Sequence, residues 1–191
     1  SLASFYTVQP SQQGVETFFG SFYRTTGDGP HLAPWPFVRA QVIEVTTQRT
    51  EAIGSSRAGE VLMLTTDENI VDIDFQVVWN IKDPAEFLFN LRDPEVTVRS
   101  VSEAAMREVI AQSELSPILN RDRGVIADQV RDLIQTTMDG YDSGINIVRL
   151  NLDRADPPAE VIDAFRDVQA AEQERDRLGR QADAYANQAL A

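Results

Sequence analysis

The chain of 191 residues has no cysteine, one histidine (His31) and one lysine (Lys82). Without cysteine it can form no disulfide, no thiol nucleophile and no cysteine-ligated metal site. A single histidine cannot build a histidine-rich metal centre. The absence of cysteine is compatible with a location in a bacterial periplasm, but it does not demonstrate that location.

Positive charge and long apolar runs are also scarce. Lysine and arginine total 17 against 30 acidic residues, which gives a net charge of −13. Such a surface repels nucleic acid phosphates and is not attracted to anionic lipid. No apolar run approaches the roughly 18 residues that a transmembrane helix needs. A hydrophobic content of 42% still predicts a folded chain with one good core, or a compact domain plus an extension.

Catalytic motifs are missing as well, since no G-x-S-x-G, H-E-x-x-H, phosphate-loop or G-x-G-x-x-G pattern occurs. One pair of carboxylates is worth weighing. Asp72 and Asp74 would lie about 7 Å apart on one strand face. That spacing could suit a glycosidase-like pair or a cation site, but a solvated strand face is the favoured interpretation. A hydrolase using this pair is the weakest of three functional hypotheses.

The most regular pattern is a strict alternation over residues 70–81. Its odd positions are all apolar: Val71, Ile73, Phe75, Val77, Trp79 and Ile81. The even positions from Asp72 to Asn80 are mostly polar. This period of two predicts a strand with one buried and one solvated face. The polar residues 66–69 predict a hairpin between this strand and a shorter one at 61–65.

The remaining pattern predicts an α+β fold with a mainly antiparallel sheet and packed helices. Strands are expected at 14–20, 38–50 and 145–152, and a loop at 57–60. Asp83-Pro84 and Asp93-Pro94 each combine a capping carboxylate with proline at the first helical position. They predict helices at 85–91 and 95–112. A connector at 113–120 then precedes an amphipathic helix at 122–138.

The C-terminal segment after Pro157-Pro158 predicts a helix longer than most globular helices. Residues at alternating spacings of four and three form a heptad seam: Ala164, Val168, Ala171, Arg175, Leu178, Ala182, Tyr185 and Ala189. Alanines let helices approach closely but bury little area each, so association would need many neighbouring copies. A single solvated helix is the alternative.

A second unusual segment is the proline-rich loop 32–38, in which Leu32, Trp35 and Phe37 stand among Pro34 and Pro36. These side chains could lie at a membrane interface, with the indole at the level of the lipid headgroups. They could equally form a buried loop packed on the first sheet. The sequence leaves both interpretations open.

Several of these segments together resemble the SPFH (band 7) family, which groups stomatin, prohibitin, flotillin and the HflK and HflC proteins. The resemblance is carried by 65–72 (TTDENIVD), 81–84 (IKDP) and 88–95 (LFNLRDPE), with support from 29–36 (GPHLAPWP), 103–109 (EAAMREV) and 156–161 (DPPAEV). The TTDENIVD run is similar to the HflK branch in particular. The resemblance covers nearly the whole chain.

The resemblance implies the end of a membrane anchor at 1–6 and an SPFH domain at 7–155. That domain would divide into a β-rich part (7–82) and a helical part with the final strand (83–155), and a coiled-coil helix would start at 156–191. It implies a non-enzymatic scaffold without a cofactor, anchored by a single pass in the bacterial inner membrane and facing the periplasm. The implied partners are an HflC-like paralogue, an FtsH-type protease and the lipid bilayer. A ring or cage is expected, and a small-oligomer adaptor that recognises protease or substrate is the alternative.

Overall fold

The computed structural model describes residues 5–33, 37–54, 61–119, 122–157 and 162–189, and gives the backbone alone for 162–165 and 183–189. The described strands are β1 (Phe5–Val8), β2 (Gln12–Phe18), β3 (Ser21–Thr26), β4 (Gly29–Leu32), β5 (Val38–Glu44), β6 (Arg49–Ile53), β7 (Leu62–Leu64), β8 (Ile70–Ile81) and β9 (Ile145–Asp156). The described helices are α1 (Pro84–Asn90), α2 (Pro94–Ala111), α3 (Leu115–Leu119), α4 (Arg123–Gly140) and α5 (Ile162–Ala189). The expected α+β class with antiparallel sheets is confirmed.

The alternating segment forms the central strand of the larger sheet. β8 pairs antiparallel with β9 along one side, and with β7 and then β6 along the other. Its apolar face is fully buried, with Trp79 and Ile73 both at 0% exposure. The expectation of a wholly solvated opposite face is wrong, because Asp72 and Val78 are buried there too. A strand with neighbours on both sides keeps less solvent contact than its polar pattern suggests.

The main core lies between the apolar face of β8 and two helices. α2 contributes Val98, Met106 and Ile110, and α4 contributes Val130 and Ile134, each at 0% exposure. On each helix these residues lie four or eight positions apart, so each helix presents one apolar stripe to the sheet. Burying these stripes provides most of the driving force for this part of the fold.

The N-terminal strands form two smaller sheets, β1–β4 and β3–β2–β5. The single strand expected at 38–50 is instead two strands, because the chain leaves β5 after Glu44 and re-enters the other sheet as β6 at Arg49. Residues rich in valine, isoleucine and threonine favour strands but do not show where a strand changes sheets. We call the β3–β2–β5 sheet the front sheet. It contacts the main core through Val15 and Ile43 and also contacts α1.

The helix starts follow the expected capping chemistry. The carboxylate of Asp83 accepts from the backbone N–H groups of Ala85 and Glu86, and Asp93 accepts from that of Val96. The expected connector at 113–120 contains α3, a five-residue helix that short-range periodicity cannot reveal. None of the described helices is long and apolar enough to cross a membrane.

Candidate functional site

A hairpin of aromatic residues projects from the front sheet. β2 ends at Phe18, β3 begins at Ser21, and the two residues between them, Phe19 and Gly20, have φ of +49° and +89°. Two positive φ values are the signature of a type I′ hairpin turn, which normally uses Asn-Gly. A bulky side chain in this region is strained. Such strain is most often kept where function requires a side chain at that place.

Four rings cluster around this turn and form what we call the aromatic apex: Phe18, Phe19, Tyr23 and Phe37. Ring centroids lie 4.8 Å apart for Phe18–Phe19 and 5.6 Å apart for Phe19–Phe37. The backbone N–H of Phe19 also donates to the carbonyl of Phe37, at 3.2 Å. The rings nevertheless stay open to solvent, and Phe19 is 74% exposed. A contiguous patch of exposed aromatic rings is typical of an interaction surface.

The loop singled out in the sequence contributes only part of the apex. Phe37 belongs to it and is half-exposed, and Leu32 lies on β4, directly across from the exposed Phe5 of β1. Trp35 lies outside the described residues. Neither Leu32 nor Phe37 is buried against the first sheet.

Sequence reasoning missed Phe18, Phe19 and Tyr23, although a usable signal was present. Two aromatic residues stand immediately before Gly20, between segments that can both form strands. A glycine that follows a strand by two residues is the ordinary mark of a tight hairpin. Aromatic residues placed before it must therefore lie at the tip.

A polar network joins β1 to strands β2 and β3 of the front sheet. Glu16 is buried, at 1% exposure, and its carboxylate accepts from the Tyr6 hydroxyl and from Arg24 Nε, both at 2.7 Å. Burial raises the pKa of Glu16, but the hydrogen bonds from Arg24 and Tyr6 outweigh it, and the pKa lies below its ordinary value. Burial raises the pKa of Tyr6. The network fixes β1 onto the β2–β3 hairpin.

His31 has a structural place in this region. Its Nε2 lies 2.8 Å from the carbonyl oxygen of Gly27, and its ring centroid is 5.5 Å from that of Tyr6. Thr26 completes the contacts, since its hydroxyl is 2.8 Å from that of Tyr6. The histidine therefore packs beside the network that anchors β1.

The long helix α5 is the second candidate surface. Every side chain described on it, from 166 to 182, is exposed, and it shares no packed interface with the other described elements. The seam residues Val168 and Leu178 are 58% and 52% exposed. Of the other seam positions, Ala171, Arg175 and Ala182 are also exposed, and only the backbone is described at Ala164, Tyr185 and Ala189.

The carboxylate pair considered for catalysis is an ion-pair network. Arg154 on β9 donates through Nη2 to Asp72 and through Nε to Asp74. The hydrogen bond to Asp74 and the charges of both aspartates raise the pKa of Arg154. Asp72 is buried at 4% exposure, so this pair is not the solvated strand face expected from alternation. One oxygen of each carboxylate has no hydrogen-bond partner.

Within the described ranges, no group of three or more histidine, cysteine or acidic side chains is placed to hold a metal ion. The cleft between β2, β5 and α1 has Val15, Thr17, Leu88 and Phe89 in its lining, with Arg39 as a charged member. These residues offer packing surface rather than paired acid–base groups.

The TTDENIVD segment has a clear structural role. The Asp67 carboxylate accepts from the Thr65 hydroxyl, from Asn69 Nδ2 and from the backbone N–H of Leu115. The hydrogen bond from Thr65 is the main cause that holds the pKa of Asp67 below its ordinary value. This turn therefore joins the β7–β8 hairpin to the first residue of α3.

Comparison with known proteins agrees with this architecture. The model of the "SPFH domain / Band 7 family" matches residues 6–191. "Protein HflK" of Vibrio cholerae is 34% identical over 97% of this chain and 46% of its own length. "Modulator of FtsH protease HflK" of Escherichia coli K12 is 32% identical over 97% of this chain and 43% of its own length. The chain thus spans less than half the length of these relatives, and it belongs to the SPFH domain / Band 7 family.

Proposed function

We propose that this chain is the folded domain and first helical segment of a non-enzymatic membrane scaffold that regulates an FtsH-type protease. The E. coli relative is named as a modulator of that protease. In this proposal the protein is anchored by a single pass in the bacterial inner membrane, faces the periplasm, and assembles with an HflC-like paralogue into a ring or cage.

The observation that carries the proposal is the isolation of α5. A 28-residue helix without a packed interface to its own domain gains little from folding alone. Packing side by side with other copies would bury the seam and stabilise the helix. Each small-residue contact contributes little, so a closed assembly of many subunits suits this helix better than one dimer.

The aromatic apex supports a second part of the proposal, in which the front sheet docks on the outer leaflet of the inner membrane. Aromatic rings are favoured at the boundary between headgroups and acyl chains. The net charge of −13 disfavours attraction to anionic lipid, so the rings must provide the affinity.

The assembly is tested by mass photometry of the complete, membrane-anchored protein in nanodiscs, with and without its HflC-like paralogue. A particle of roughly megadalton mass that requires the paralogue is the expected result. A dimer or trimer in both samples would contradict the proposed ring or cage. It would favour the alternative, a small-oligomer adaptor that recognises protease or substrate.

The seam is tested in the same preparation with Leu178→Asp. A charge in the centre of the seam cannot be desolvated cheaply, so the large particle should be lost. Gln173→Asp is the matched control, because it places the same charge on the opposite side of α5, where Gln173 is exposed. Equal behaviour of the two variants would show that the seam does not hold the assembly together.

Membrane docking is tested by sedimentation of the 191-residue chain with neutral phosphatidylcholine vesicles. The double variant Phe19→Ser, Phe37→Ser should reduce the bound fraction several-fold because it removes two exposed rings from the apex. Tyr141→Ser, which removes an exposed ring at the end of α4, serves as the control. Binding that survives the double variant would argue against the apex as the membrane contact.

A further inference from the structure

The outer edge of β9 carries a feature that the scaffold function does not use. β9 has 12 residues and pairs on one side with β8, and no other described strand pairs with it. An open edge of this length is a ready template for pairing with another chain. Proteins manage such edges by covering their free backbone groups.

Gln135 of α4 covers one end of this edge. Its Oε1 accepts from the backbone N–H of Ile147 at 2.7 Å, and its Nε2 donates to the carbonyl of Ile145 at 3.1 Å. These two backbone groups point away from β8. A strand added on the open side of β9 would have to form hydrogen bonds with them. The side-chain amide thus occupies both hydrogen-bonding positions that an added strand would need at Ile145 and Ile147.

Neighbouring charges hold this amide in position. Nε2 of Gln135 also donates to Asp139 Oδ1 at 2.9 Å, and the same oxygen accepts from Nζ of Lys82. Oε1 must therefore face the Ile147 N–H, since both partners of Nε2 are acceptors. At the other end of β9, Arg123 of α4 lies 3.4 Å from the carbonyl oxygen of Leu152.

We propose that Gln135, held by Asp139 and Lys82, is a latch that keeps the β9 edge closed to strand addition by a second copy of this chain. When the amide is removed, β9 of one copy pairs antiparallel with β9 of another. Charge complementarity favours this occupant: when Ile147 lies opposite Ala155 of the second copy, exposed Arg149 lies opposite exposed Asp153. Antiparallel pairing brings opposite charges together.

The first test is amide hydrogen exchange of the 191-residue chain at low concentration, with Gln135→Leu. Loss of the acceptor should speed exchange of the Ile147 amide by roughly tenfold or more, while buried β8 amides stay protected. Protected β8 amides also show that the variant is folded. An unchanged Ile147 rate in the folded variant would overturn the latch.

The second test is the mass of the same variant by light scattering over a range of concentrations. Gln135→Leu should dimerise with a dissociation constant at least roughly tenfold lower than that of Gln129→Leu. Gln129 is exposed on the same helix, so its leucine variant adds the same apolar surface without touching β9. Equal masses for the two variants would overturn strand pairing by a second copy.

A third variant locates the new contact. Adding Arg149→Glu to Gln135→Leu places like charges together and should return the chain to the mass of the control, while Ile147 still exchanges fast. If the double variant dimerises as strongly as Gln135→Leu, the contact does not run antiparallel along β9. The seam of α5 is intact in all these variants. The comparison among them therefore does not depend on whether the scaffold proposal is correct.

Discussion

Phe19 is the residue at which local stability and proposed function conflict. Its φ of +49° is costly for a phenylalanine, whereas asparagine tolerates that conformation and is preferred in this turn. Phe19→Asn should raise the free energy of unfolding by up to about 1 kcal/mol and lower vesicle binding. Urea unfolding and vesicle sedimentation measure the two effects.

Phe18→Asn is the control for that prediction. Phe18 also belongs to the apex, but it precedes the turn and has no positive φ. Its replacement should weaken vesicle binding without any gain in stability. A Phe19→Asn protein that is less stable than the original would show that the ring contacts outweigh the backbone strain.

Ser102 gives a second prediction at the residue scale. It lies at 0% exposure in the middle of α2, and its hydroxyl has no hydrogen-bond partner. Ser102→Ala removes an unsatisfied buried group and inserts the best helix former, so stability should rise by about 1 kcal/mol. Thermal unfolding measures the change, and a clear loss of stability would reveal a hydrogen bond to a buried water.

Individual elements differ in how far their sequence predicts them. Strand β8 and helices α1, α2 and α4 lie within two residues of their expected bounds, because alternation, helical spacing and Asp-Pro caps are local signals. The sequence pattern does not predict β1, β3 or β4, and it does not show the break between β5 and β6. Those features depend on which strands pair, which is decided by contacts distant in sequence.

The candidate surfaces also differ in how far the sequence predicts them. The seam of α5 follows from spacing along one helix, so Val168 and Leu178 could be named from the sequence. The aromatic apex requires the β2–β3 turn to bring Phe19 next to Phe37, which lies 18 positions further along the chain. The latch at Gln135 requires the packing of α4 against β9, and nothing in the local pattern around Gln135 indicates it.

The junction between β9 and α1 depends on a glycine. Gly144 has φ of +65°, and its carbonyl accepts from the backbone N–H groups of Lys82 and Asp83. A Cβ there would lie 2.1 Å from the carbonyl oxygen of Asp83. Gly144→Ala should therefore cost roughly 2 kcal/mol or more, measured by chemical denaturation.

Gly140→Ala is the matched control for the junction. Gly140 is the last residue of α4, and an added Cβ there would meet nothing within 4 Å. This replacement should be neutral or stabilising, because alanine favours the helix. Similar losses for the two variants would mean that the close approach at Gly144 does not limit stability.

At the scale of the whole molecule, buried and bridged carboxylates make the fold sensitive to acid. Glu16, Asp67 and Asp139 all have pKa values below the ordinary 4.5 for Glu and 3.8 for Asp. A carboxyl whose pKa is lower in the folded state stabilises the protein above its unfolded pKa, and this contribution is lost as the pH falls through the folded value. Stability should therefore be nearly flat near neutrality and fall below about pH 4.5.

Glu16→Gln tests the contribution of one of these carboxyls to the acid sensitivity. The variant should be less stable by about 1–3 kcal/mol at pH 7, because Arg24 loses its charged partner, and the difference should shrink toward pH 3. Urea unfolding at a series of pH values measures it. Glu108→Gln, at an exposed position on α2, should show little difference at any pH, and a constant difference for Glu16→Gln would contradict the assignment.

The separation of α5 from the domain has a thermodynamic consequence. Without a shared interface, the helix and the domain cannot melt as one cooperative unit. For the monomeric chain, far-ultraviolet circular dichroism should lose helicity gradually on warming, before the near-ultraviolet signal of buried Trp79 disappears in a sharp transition. The calorimetric enthalpy should then exceed the van't Hoff enthalpy of the second step. In the assembled protein, neighbouring subunits would supply the missing interface, so the two transitions would merge.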